Sequence, residues 1–108
     1  MGVTIKDLSS YNSINNINFG EKVIFFKFGA DWCVPCAELD KILTSVPDSM
    51  LYHVSVDNEE FDSFFMDNSI YTVPDTIIKY KNSTTRFQGV KTLDQVLEMI
   101  EKLKETAT

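Results

Sequence analysis

The sequence predicts an α/β fold, a central mixed β-sheet with helices packed on both faces, in one domain spanning residues 1–108. Three observations lead there. The first seventy residues alternate β-type apolar runs with runs of helical spacing, two strand-like runs then adjoin as a hairpin, and the chain closes on an amphipathic helical stripe. A length of 108 residues suffices for one core and is short for two.

The elements follow in order. Val3 to Ile5 is a candidate short strand, and the Asn-rich segment from Ser9 to Phe19 a poor helix former. Lys22 to Phe28, KVIFFKF, is an apolar β-rich run of strand length that Gly29 stops, and it reads as the central strand. Cys36, Leu39, Ile42, Leu43 and Val46 then fall at helical spacing, with Pro35 in the first turn, where the missing N–H does no harm. Met50 to Val56, MLYHVSV, is a second strand. Asp57-x-x-Glu60 after it has the pattern of a capping box, opening a helix with Phe61, Phe64 and Phe65 on one face. The segment YTVPDTIIKYKNSTTRFQG reads as a hairpin turning at Asn82-Ser83 and ending at Gly89. Thr92-x-x-Gln95 caps the last helix, whose Leu93, Val96, Leu97, Ile100 and Leu103 form one stripe.

Composition removes several function classes. No apolar run approaches the roughly 20 residues of a membrane span, so no membrane is expected. The opening MGVTIKDLSS has neither the basic patch nor the apolar block of a signal peptide, which makes a reducing cytoplasm the expected compartment. A formal charge of -6 with a single arginine, Arg86, argues against nucleic acid, whose phosphates require clustered cations.

The two cysteines, Cys33 and Cys36, lie at the predicted strand-to-helix junction. One bridge across so short a loop adds little stability. A closed zinc site needs four ligands, and His53 is the one remaining favoured ligand, so no metal is expected. Redox chemistry is left. Its nucleophile is a thiolate, and a helix N-terminus lowers a thiol pKa because its free N–H groups and dipole favour negative charge. Cys33, at or before the first turn, is then the more acidic and exposed thiol, and Cys36, almost a turn deeper, can attack a mixed disulfide formed at Cys33.

Trp32, Cys33, Val34, Pro35 and Cys36 match the WC-x-PC motif, and Val73-Pro74 stands where a cis-proline begins the strand facing the dithiol. In these features the chain resembles the thioredoxin family, over most of its length from about Val23 to Leu103. The resemblance implies a thioredoxin-like three-layer fold and protein-disulfide oxidoreductase activity. Cys33 would be the attacking thiol, Cys36 the resolver, and Trp32 an apolar wall. Val34 and Pro35 would border the substrate groove that Pro74 shapes, and the backbone of Val73 would pair with extended substrate. No cofactor beyond the redox disulfide is implied. The implied partners are disulfide-containing proteins and thioredoxin reductase or another dithiol donor, acting on a monomer.

The chain also departs from the family pattern. Lys27 replaces the usual buried aspartate, and His53 falls where a lysine is usual on the next strand. Lys27 either snorkels past the core to solvent or keeps its charge near the thiols and favours thiolate. Val34 replaces a glycine, Asp75 a threonine and Lys41 a helix-kinking proline, and the interval from Cys36 to Asp57 is about five residues short. Two other readings stand beside the leading one: a glutaredoxin-like glutathione-dependent enzyme, and a binding module whose thiols are incidental.

Overall fold

A run of β-branched and aromatic side chains with no polar alternation suits a strand covered on both faces, and Val23–Gly29 is buried at every position. The structure, a computed structural model, describes residues 2–107. Val23–Gly29 (β2) lies at the centre of a five-stranded sheet with Val3–Ile5 (β1), Ser49–Ser55 (β3), Asp75–Tyr80 (β4) and Ser83–Gln88 (β5), in the order β1-β3-β2-β4-β5. β3 runs parallel to β1 and β2, while β4 is antiparallel to β2 and β5. The sheet is mixed, as expected.

The two-residue period of β2 separates two cores. Val23 and Phe25 face Leu39 and Leu43 of the helix Val34–Leu43 (α2), and Val96, Ile100 and Leu103 of the helix Leu93–Thr106 (α4). Ile24, Phe26 and Phe28 face Tyr11 of the helix Leu8–Asn15 (α1), and Phe65 of the helix Asp62–Asp67 (α3), which follows a 3-10 turn at Glu59–Phe61. Helices thus cover both faces, in three layers.

Several boundaries differ from the sequence expectations. α2 stops at Leu43, short of Val46, because Pro47 disfavours helical backbone in the residue before it; Val46 is buried all the same. Asn58, rather than Asp57, caps the turn before α3 by accepting the Glu60 N–H at 3.1 Å. The Glu60 carboxylate accepts from Leu8 N–H at 3.1 Å, and so ties the 3-10 turn before α3 to α1 instead of completing a capping box. The hairpin turns at Lys81-Asn82, one residue earlier than expected, since Tyr80 pairs with Ser83 and Lys81 takes φ 54°. In α4 the capping box forms as expected, but Leu93 and Leu97 remain partly exposed, so Val96, Ile100 and Leu103 carry the packing.

Candidate redox site

β2 ends at Gly29, and four residues later Cys33 takes the N-cap position of α2. Its sulfur accepts the Cys36 N–H at 3.2 Å, so one of the unpaired donors of the helix start points at the atom that would carry negative charge. Pro35 falls in the first turn. Cys33 and Cys36 are joined as a disulfide with 5.3 Å between their Cα atoms. Both are buried, Cys33 at 6% exposure and Cys36 at 2%, which keeps the expected order but with little contrast.

The surface above the pair is apolar. Trp32 and Val34 are 66% and 79% exposed, and Pro35 is exposed beside them. The Trp32 indole N–H donates to Asp57 at 3.0 Å, and this bond sets the ring's orientation. Val73-Pro74 is cis. The register Phe28↔Asp75 brings it alongside the carboxyl end of β2, the end from which α2 departs. Val73 is half-buried and Pro74 buried. Behind Pro74, the wholly buried Asp75 carboxylate accepts from Arg86 Nε at 2.8 Å and from Nη2 at 2.5 Å. The same guanidinium donates to the carbonyls of Asn68 at 2.7 Å and Ser69 at 3.0 Å.

Lys27 does not reach solvent. It is 5% exposed, and its ammonium is paired with Asp40 and donates to the Cys36 carbonyl at 3.4 Å. Its charge therefore stays beneath the thiols, but as one half of an ion pair. His53 pairs with Lys27 across β2 and β3, and its Nδ1 stands 3.7 Å from the Asp40 carboxylate. Burial, then the neighbouring Lys27 charge, lowers the imidazole pKa against the opposing pull of Asp40. Lys27, Cys33, Cys36, Asp40 and His53 line a cleft of about 320 Å³.

Asp40, Arg86 and Asp75 are the functional neighbours that the sequence left unassigned. Asp40 had a faint signal, because it sits four residues after Cys36 and shares its helix face. Arg86 had none, since its partners lie 11 to 18 residues away in sequence. Among the described residues no group of three His, Cys, Asp or Glu is placed to hold a metal, and no helix is long and apolar enough to cross a membrane.

The thioredoxin family model matches residues 4–102. This chain belongs to the thioredoxin family. It is 32% identical over 92 residues to a chloroplastic thioredoxin Y from Oryza sativa subsp. japonica, covering 81% of this chain and 54% of that relative's length. Among solved structures, a thioredoxin variant from Halobacterium salinarum superposes with a TM-score of 0.76 at 19% identity, covering 99% of this chain and 94% of that one. Oxidised thioredoxin O2 from Arabidopsis thaliana gives 0.72 at 21%, covering 94% and 92%. At such identities these two likenesses concern the fold.

Proposed function

We propose that this thioredoxin-family chain is a dithiol oxidoreductase that reduces exposed disulfides of other proteins. The observation that carries this reading is the seat of the cysteine pair: Cys33 caps α2 with its sulfur toward a helix N–H, under an apolar surface and beside the Val73-Pro74 edge. In the reduced protein the Cys33 thiolate attacks a substrate sulfur, the substrate S–S bond breaks, and one substrate thiolate leaves. Cys36 then attacks Cys33 in the mixed disulfide, which releases the second substrate thiol and restores the Cys33–Cys36 bond. A dithiol donor of the thioredoxin reductase kind reduces the pair again. Trp32, Val34 and Pro35 offer the apolar contact, and the Val73 backbone the pairing edge, that suit an extended peptide with little demand on its sequence.

The test is reduction of a disulfide protein with two recycling systems, NADPH with thioredoxin reductase and glutathione with its reductase. Turnover is expected with the first. Cys33→Ser should abolish it, and Cys36→Ser should trap a mixed disulfide through Cys33. Recycling by glutathione alone would favour the glutaredoxin-like reading. A biological effect retained by the double serine variant would favour a binding module.

A further inference from the structure

Resting on the dithiol reading above, we propose that His53 is the proton acceptor for Cys36 in the resolving step, held in place by Asp40 and Lys27 and reached through the water of the cleft they line.

Three geometric facts carry this. Cys36 and Asp40 occupy successive turns of one face of α2, and Lys27 fastens that face to β2 by bonding both the Cys36 carbonyl and the Asp40 carboxylate. A side chain on Gly29 would meet the Cys36 sulfur at 3.0 Å and Lys27 Cε at 3.3 Å, so sulfur and lysine stem converge where the absence of a Cβ leaves room. The cleft of about 320 Å³ is lined by Cys36 and Lys27 and also by His53. Since a water occupies about 30 Å³ in the liquid, there is space for a short chain of them.

The charges decide which group takes the proton. Its ammonium hydrogens committed to Asp40 and the Cys36 carbonyl, Lys27 has no lone pair to offer. Asp40 is already engaged by that ammonium. The remaining cleft groups that can carry charge are Asp31, from the turn after β2, and His53 on β3, while β1 contributes only Thr4. His53 is the neutral nitrogen base among them, because burial and Lys27 disfavour its charged form. Once protonated, it stands 3.7 Å from Asp40, whose charge then stabilises the imidazolium.

The step balances. The Cys36 proton passes to His53, the Cys36 sulfur bonds to the Cys33 sulfur, and the bond between Cys33 and substrate breaks with its electron pair on the substrate sulfur. His53 then returns the proton to that thiolate, and the reverse sequence serves re-reduction.

The test is a single turnover of the reduced protein with excess disulfide protein, quenched in acid and separated by mass, so that formation and decay of the mixed disulfide are read apart. In His53→Gln, formation should stay within about twofold while decay at pH 7 slows at least about tenfold and loses its dependence on pH below about 6.5. Lys27→Met, which releases Asp40, should slow decay but keep a titration. Wild-type decay and pH profile in His53→Gln would overturn the proposal. So would an imidazole signal in the native protein that titrates identically in the oxidised and dithiol states, a reading made simple by His53 being the only histidine. A wild-type protein that forms no mixed disulfide at all would instead sink the dithiol reading itself.

Discussion

The one arginine of the chain serves a carboxylate that water cannot reach. Asp75 is wholly buried directly behind Pro74, and Arg86 supplies two of its hydrogen bonds while holding the carbonyls of Asn68 and Ser69. An ionised group at zero exposure persists only with such a partner, since desolvation alone costs several kcal/mol. Arg86→Leu strands that charge, and a loss of roughly 3–5 kcal/mol in urea unfolding is expected. The double variant Asp75→Asn with Arg86→Leu should lose less, because it removes the uncompensated charge together with its partner. A double variant no more stable than the single one would mean that the carbonyl contacts of Arg86, rather than the ion pair, hold the segment. Residues of this kind are the least legible in a sequence. Cys33 and Cys36 announce their chemistry by type and spacing, whereas Lys27 needs the position of Asp40, thirteen residues on, to settle whether its ammonium turns outward or inward.

Elements divide in the same way between local signals and distant support. α4 carries its own capping box, with Thr92 accepting from Gln95 N–H at 3.2 Å and Gln95 returning the bond at 3.0 Å, and an apolar stripe beside it. Its start could therefore be read directly. α1 looks poor because serines and asparagines favour competing local bonds. It stands because Asp7 caps its start, Lys79 from β4 donates to the Asn15 carbonyl and to Ile17 at 2.9 Å, and Tyr11 packs edge-on to Phe26 and Phe64 with centroids 4.9 Å away in each pair. Two of these three supports come from elsewhere in the chain. Tyr11 also gives α1 a pH limit. Burial raises its pKa from 10.0 to about 12, so the folded state favours the neutral phenol. The stability that follows is complete below pH 10 and is lost as pH rises through about 12, since the unfolded chain releases its proton first. Tyr11→Phe keeps the rings and removes the proton, and should flatten part of the fall in melting temperature between pH 10 and 12. An identical alkaline decline in that variant would place the sensitivity elsewhere, with Tyr52, whose pKa burial also raises, the next candidate.

For the whole molecule, the order of patterns determined the architecture, because a strand buried on both faces requires helices on both sides and a short two-residue turn requires antiparallel neighbours. The lateral order β1-β3-β2-β4-β5 came from the structure alone, since no local signal says which strand lies beside which. Net charge is also a property at this scale, and it was legible at once. The formal charge is -6, and at the redox end Asp31 lines the cleft, Glu38 is exposed on α2, and Asp57 holds Trp32. Lys27, in the cleft, and Arg86, behind Pro74, are internally engaged, by Asp40 and Asp75 respectively. A negative field at the mouth of the site attracts basic disulfide proteins and repels acidic ones over distances comparable to the Debye length, about 10 Å at 0.1 M salt. Such steering acts on the rate of encounter and leaves the chemistry at the sulfur unchanged. The second-order rate constant for a basic substrate should therefore fall severalfold between about 10 mM and 300 mM salt, while that for an acidic substrate should rise. Initial rates measured under kcat/KM conditions separate this from a change in kcat. Equal salt dependence for both substrates would remove steering by the site and leave only a general effect of salt on the protein.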